Sequence, residues 1–479
     1  MKSIKYHLTC WILVSFGSII QAQVLQTVTD LGVYSKIAIQ FLGLTTPEYD
    51  VQMYKVTYNT TDNSGNNVIA SGMIAVPINP DCDRLPIALY GHGTIVLRED
   101  VPSRDNPEST LGKALATRGY VTVMPDYLGL GDSPGLHPFQ HAESEARVSL
   151  DIIRAAKEFI EDSLTYTYNH QVFLTGYSQG GHTAMATLKA IKDANLQNEF
   201  NVIASAPLSG SYHSSATQAR VILNDLPYGN QGFVIYMIMA YQEIYGGIYN
   251  TPSDFLQSPY DVDIPPLFDG NTSLVDINDD LTLQASGYLN PTFLANFLAD
   301  SSTKTSALWQ AIMANDNYDW KPDGHVKLFY CGGDQTVFPE NTTDAYVAMT
   351  ANGAGLVLKE DLGNLSHGGC IVPSISGAID YFENLRPACD EPASITKINE
   401  NSVQFQLFPN PSRDFIEIKN NYLNTNLNLT IYSATGTIVY RSSTQSSLTI
   451  DVAQWAEGIY LVQLGNAHNF AIKKLIIQH

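Results

Sequence analysis

In Gly176-Tyr177-Ser178-Gln179-Gly180 a serine stands between two glycines, each two positions away. A serine hydroxyl is a weak nucleophile. To attack an acyl carbon it needs a base that takes its proton, an acid that orients the base, and N–H donors for the oxyanion that forms. The run Gln171 to Gly176 reads as a strand, and Gly180-Gly181-His182-Thr183-Ala184 opens a helical pattern. A reversal from strand to helix within so few residues holds the serine in a strained conformation, and a side chain two residues to either side would strike neighbouring backbone. That is a reason for Gly176 and Gly180. A glycine-rich turn with a solvated serine is written with the same letters; the strand before Ser178 and the small-residue helix after it favour the nucleophile.

This arrangement resembles the nucleophile turn of the α/β-hydrolase fold, whose members carry serine, then Asp or Glu, then His in chain order. The resemblance implies an acid and a histidine downstream of Ser178. The strand Val326 to Tyr330 runs into Cys331-Gly332-Gly333-Asp334-Gln335-Thr336, which puts Asp334 on the loop leaving the strand's carboxyl end. Asp334 is the orienting acid in this reading. An Asx-turn role beside Gly-Gly is its plain alternative, and Asp323 and Asp361 are rival acids. The strand Leu356 to Lys359 is followed by Asp361 to Gly369, so His367 falls on the next loop, beside glycines, and is the base. His182 is nearer in sequence, but it lies in the helix after the serine and is expected to point along that helix. For the oxyanion the fold uses the amide after the nucleophile, here Gln179, and a second from the loop after an earlier strand. Tyr90-Gly91-His92-Gly93-Thr94 resembles the His-Gly loops of the fold and implies Thr94, with His92 shaping the loop.

Such groups must sit at the carboxyl ends of buried strands. From about Val51 to Leu385 short apolar runs alternate with helical patterns, the pattern of a parallel sheet covered on both faces. The expected strands are Pro86 to Tyr90, Tyr120 to Met124, Val172 to Thr175, Val202 to Ala206, Val326 to Tyr330 and Leu356 to Lys359. Val148, Ile152, Ala155 or Ala156, and Phe159 recur at helical spacing, so His141 to Glu161 is predicted to be an amphipathic helix. Between about residues 210 and 325 the alternation stops, over a stretch rich in Tyr, Leu, Ile, Phe and Pro. It is too long for a structureless loop and is expected to form a cap over the sheet, with a helix from Gly232 to Tyr249.

Pro125-Asp126-Tyr127-Leu128-Gly129-Leu130-Gly131-Asp132-Ser133-Pro134, together with Gly176 to Gly181, resembles the secretory lipase and carboxylesterase branch of the fold, over about Thr45 to Leu385. The resemblance implies a small-molecule or lipid ester as substrate and an acyl-enzyme on Ser178. A serine peptidase of the same fold and a noncatalytic surface-binding protein are the competing readings. A peptidase acting at chain ends needs a charged pocket, and no cluster of acids in the cap suits that task.

Residues 391–404 are polar and without a period, as in a linker. Beyond them Phe415 to Ile418, Leu427 to Tyr432, Thr437 to Tyr440, Ser447 to Val452 and Gly458 to Leu464 alternate with turn signals. They predict a small, immunoglobulin-like antiparallel β-sandwich over 405–479. Phe408-Pro409-Asn410-Pro411-Ser412, the segment Ile431 to Gly436 and Gly458-Ile459-Tyr460-Leu461-Val462 resemble the type A C-terminal sorting domain of the type IX secretion system. The resemblance implies that secretion machinery as a partner and passage through the periplasm and outer membrane to the surface or the medium. A carbohydrate-binding or adhesive module is the alternative.

Ahead of the catalytic domain, expected over 23–390, Lys2 and Lys5 precede the apolar run Trp11 to Ile20 and the small residue Ala22, which predicts a signal peptide over 1–22. The run falls short of the roughly 20 residues that span a bilayer, and no later segment is long enough. The formal net charge of -21 disfavours nucleic acid and anionic membrane surfaces, which require a basic footprint. Cysteine spacing fits no metal site, and neither metal nor cofactor is expected. With Cys10 in the signal, Cys82, Cys331, Cys370 and Cys389 allow two disulfides in three possible connectivities.

Overall fold

Leu85, Ile87 and Leu89 alternate with Ala88 and Tyr90, and all five are buried. A strand apolar on both faces has to be covered on both. In the computed structural model, which describes residues 23–387, 405–420, 427–433, 438–444, 447–465 and 470–478, this run lies within a nine-stranded sheet. Its strands are β1 (Leu25–Tyr34), β2 (Val51–Thr61), β3 (Asn67–Pro77), β4 (Arg84–Gly91), β5 (Val121–Pro125), β6 (Thr167–Tyr177), β7 (Val202–Leu208), β8 (His325–Tyr330) and β9 (Val357–Asp361). Their spatial order is β1-β2-β3-β5-β4-β6-β7-β8-β9. β4 pairs in parallel with β5 and β6, and the parallel ladder continues through β7, β8 and β9. All six strands expected from the apolar runs are present.

The first three strands depart from that pattern. β1, β2 and β3 pair antiparallel, and β3 also meets β5 antiparallel. Between β2 and β3 the carboxylate of Asp62 accepts the amides of Ser64 and Asn66, which closes a hairpin far too short for a parallel crossover.

The two faces of the sheet build two cores. On one side Leu85, Ile87 and Leu89 meet the Ala142–Ser163 helix through Ile152, Ala155, Ala156 and Phe159, and the Gln179–Asp193 helix through Met185 and Leu188. His141 caps the first of these helices, its ring accepting the Ser144 amide. On the other side Ala88 and Tyr90 meet the Ser109–Ala116 helix and Ile375, Ile379 and Phe382 of the His367–Leu385 helix. Each buried Leu, Ile, Met or Phe among them contributes about 1.5–3 kcal/mol.

Between β7 and β8 a set of short helices forms a cap with its own core around Trp309, whose ring stacks on Phe297 at 4.3 Å. The expected cap helix runs Gln231–Tyr245 and stops earlier than its apolar run, because Gly246 and Gly247 both take positive φ.

The chain divides into the units Met1–Ala393 and Ser394–His479. In the second, β10 (Phe405–Phe408), β11 (Phe415–Asn420) and β14 (Ser447–Asp451) form one antiparallel sheet. β12 (Leu427–Ser433), β13 (Ile438–Thr444), β15 (Gly458–Gly465) and β16 (Phe470–Ile477) form another. Ile416 and Ile418 of one sheet share a core with Leu429, Ile431 and Val462 of the other. β10 and β16 are additions to the five expected runs.

Cys331 and Cys370 form a disulfide, and Cys82 is also disulfide-bonded. The expected signal at 1–22, Cys389 and the linker at 391–404 lie outside the described residues. Among the described residues no helix is long and apolar enough to cross a membrane, and no cluster of three or more His, Cys, Asp or Glu side chains is placed to hold a metal ion.

Candidate active site

β6 ends at Tyr177 and the Gln179–Asp193 helix begins two residues later, so Ser178 makes the whole turn, at φ 60° and ψ −117°. This positive φ is a costly place for a residue with a Cβ, and it persists only where the surroundings impose it. They do so by close packing. A Cβ at Gly180 would lie 1.8 Å from the Gly91 carbonyl oxygen, and one at Gly176 would lie 2.4 Å from the Gly180 carbonyl oxygen. The glycines let β4, β6 and the helix meet under the serine.

His367 is the first residue of the His367–Leu385 helix, which Ser366 caps by accepting the Gly369 amide. Its Nε2 is 2.9 Å from Ser178 Oγ, and its Nδ1 is 2.6 Å from Asp334 Oδ2. The other Asp334 oxygen accepts the amides of Thr336 and Val337, each at 2.9 Å. The Asx turn weighed against an acid role is therefore present as well: one oxygen makes the turn and the other faces the imidazole. Tyr177 donates its hydroxyl to the His367 carbonyl at 2.5 Å, fastening the histidine to the strand that carries Ser178.

Neither rival acid approaches His367. Asp323 pairs with Lys192, and Asp361 accepts the amides of Gly332 and Gly363. His182 points away from Ser178, with Nδ1 2.7 Å from Glu145 Oε2 and Nε2 2.9 Å from the Asn315 carbonyl. Burial opposes charge on His182, but the Glu145 carboxylate, with the Asn315 carbonyl and Asp316, holds the imidazole above its ordinary range.

Thr94 follows β4 and lines the same cleft as Ser178. Among the described residues, neither its amide nor that of Gln179 has a protein partner. His92 holds the loop, with Nδ1 2.7 Å from the Gly93 carbonyl and its ring 4.1 Å from that of Tyr127. The cleft and its mouth, which opens to solvent, together span about 690 Å³. Ser178, Thr94, Gln140, Ser211, Ser214 and Gln218 are among its polar residues; Phe233, Val234, Met237, Phe297 and Ile312 of the cap form an apolar wall.

Three features at the site are not in the sequence reading. Cys331 and Cys370 bond between the segments that carry Asp334 and His367. The side chain of Gln179 turns away from the cleft to Glu145 and His137. Glu145 is fully buried, and its signal was available: it falls three residues before Val148, in register with the apolar face.

Residues 406–478 match a family model described as a secretion system C-terminal sorting domain, and residues 108–226 match one described as serine aminopeptidase, S33. Among solved structures the chain is similar to the rice cell wall degrading esterase LipA from Xanthomonas oryzae, with 30% identity over 76% of this chain and 99% of that one, at a TM-score of 0.68. A Legionella pneumophila protein described as a hydrolase aligns with 29% identity over 76% and 98% of the two chains, at a TM-score of 0.70. Candida antarctica lipase A, at 16% identity over 76% and 83% and a TM-score of 0.54, shares the fold. Comparison with curated protein sequences gives no match.

Proposed function

We propose that this chain, which belongs to the α/β-hydrolases and carries a sorting domain that directs it to the cell surface or the medium, hydrolyses carboxylic esters through an acyl-enzyme on Ser178. The observation that carries the reading is the hydrogen-bonded series Ser178 Oγ, His367 Nε2, His367 Nδ1, Asp334 Oδ2, at 2.9 and 2.6 Å.

His367 Nε2 takes the hydroxyl proton as Ser178 Oγ bonds to the ester carbon. The carbonyl oxygen becomes an oxyanion, for which the free amides of Gln179 and Thr94 are the donors. As the tetrahedral adduct collapses, His367 returns the proton to the leaving alcohol. Water then repeats the cycle on the acyl-enzyme, giving the acid and restoring Ser178. Asp334 stays ionised and holds the proton of the neutral imidazole on Nδ1, so that Nε2 can accept.

The cleft favours esters with an apolar acyl part. No Asp, Glu, Lys or Arg is among the described residues that line it, whereas an aminopeptidase has to neutralise a substrate ammonium. Phe233, Met237 and Phe297 offer the acyl group a dry wall.

The secreted full-length protein should hydrolyse p-nitrophenyl esters, with a preference that changes along a series of acyl lengths, and Ser178→Ala should remove the activity. Turnover of aminoacyl p-nitroanilides without ester turnover would replace this reading by a peptidase. If neither substrate turned over and a fluorophosphonate left the protein unlabelled, the surface-binding reading would stand.

A further inference from the structure

The residue after the nucleophile is tied down from behind. Gln179 Nε2 is 2.8 Å from Glu145 Oε1 and 2.8 Å from His137 Nε2. His137 Nδ1 is 2.8 Å from the Leu128 carbonyl, so that nitrogen carries the proton and Nε2 accepts from Gln179. The second Glu145 oxygen meets His182, and His182 meets the Asn315 carbonyl. Glu145, His137 and His182 are each 1% exposed and Gln179 is 0% exposed, and none of the four lines the cleft. Taking a carboxylate so far from water is costly, and apolar side chains of similar volume often serve stability as well or better. A role in stability alone does not account for the placement.

The placement makes sense as geometry. The direction of the Gln179 N–H is set by the peptide plane between Ser178 and Gln179, and hence by ψ of the first and φ of the second. Ser178 sits at φ 60° and ψ −117°, where the backbone gains by relaxing unless it is held. Gln179 opens its helix, so no intrahelical bond fixes its amide. The carbonyl of that peptide, on Ser178, accepts the Gly181 and His182 amides, and the Gln179 side chain, with both of its amide hydrogens engaged, adds a second hold from behind.

We propose that Glu145, braced by His182, is a positioning residue for the oxyanion site: through the Gln179 side chain it keeps the Gln179 amide aimed at the acyl oxygen on Ser178. The inference rests on the acyl-transfer reading given above. It assigns Glu145 no contact with substrate.

The test compares full-length Glu145→Gln and Gln179→Met with the parent protein. Gln179→Met keeps the side-chain volume and removes the tether while Glu145 keeps its bond to His182, so it reports even if Glu145→Gln does not fold. Steady-state kinetics on a p-nitrophenyl ester are measured together with inhibition by an alkyl trifluoromethyl ketone, which forms a tetrahedral oxyanion on the serine. Each folded variant should lose about 10- to 100-fold in kcat, less than the loss of a whole oxyanion donor. KM should stay within about twofold, and ketone affinity should fall in step with kcat/KM, since the lost interaction exists only in the transition state. Gln179→Met that folds and keeps kcat and ketone affinity within about twofold of the parent overturns the proposal, as does a loss confined to KM. A parent protein that turns over no ester and takes no fluorophosphonate label sinks the acyl-transfer reading instead, a distinguishable result.

Discussion

Cys331 is bonded to Cys370 across the site, three residues before Asp334 and three residues after His367. The disulfide thus bridges the loop leaving β8 and the first turn of the helix that opens with His367, and both cysteines are fully buried.

From that placement, Cys331→Ala/Cys370→Ala should lower kcat about tenfold with little change in KM, because the 2.6 Å contact between His367 and Asp334 loses its covalent frame. For a loop of sequence separation 39, chain-entropy reasoning gives a loss of about 4 kcal/mol in stability. Denaturant unfolding of the double variant measures it, and the variant avoids the reduction of Cys82 that a chemical reductant would add.

Asp334→Asn should reduce kcat by about three to four orders of magnitude while the fold survives. The asparagine oxygen can still accept the Thr336 and Val337 amides, but its NH2 group opposes a protonated Nδ1 and favours the wrong imidazole tautomer. Pre-steady-state acylation kinetics, with Tm as the check on folding, read the two effects apart.

Gly180→Ala should prevent accumulation of folded protein, since its Cβ would lie 1.8 Å from backbone that cannot yield. The expected destabilisation exceeds about 4 kcal/mol, in the overpacking and strained-backbone class. Normal yield and an unchanged Tm would contradict the packing described for this turn.

Stability should fall in mild acid. Burial lowers the pKa of His137, and likewise that of His141, to about 4 from an ordinary value of 6.5, so the folded state holds both rings neutral while the unfolded chain protonates them. A depressed histidine adds stability above pH 6.5 and loses it progressively as pH falls toward 4, by at most about 3 kcal/mol for a shift of this size. His182 works with the opposite sign, since its raised value adds stability in acid that is lost as pH rises. Urea unfolding at pH 7 and pH 4.5 should show a net loss, and His137→Asn should flatten part of the slope.

The buried strands were legible because β4, Val172 to Leu174 of β6 and Leu328 to Tyr330 of β8 are buried apolar runs that lead into Gly91, Ser178 and the Cys331 to Asp334 loop, where chain reversals show in composition. The antiparallel start was not, because β2 alternates buried and half-buried residues, and what sets its pairing is the Asp62 turn, a short-range hydrogen-bond pattern read only once both strands are known. The positions of Ser178, Asp334 and His367 followed from their places after strands, but the distances among them depend on tertiary packing. The burial of Glu145 is written in the helical period, but its pairing with His182 and the Cys331–Cys370 bond are not: they join residues 37 and 39 apart in sequence, and no local periodicity encodes which residue lies opposite.

The most direct measurement is to trap the acyl-enzyme. The secreted protein is mixed with a p-nitrophenyl ester, quenched in acid within the burst phase and mapped by peptide mass spectrometry. One acyl group per molecule is expected, on Ser178, and none in Ser178→Ala. Ester turnover with no covalent acyl group, or an acyl group on another residue, would contradict it.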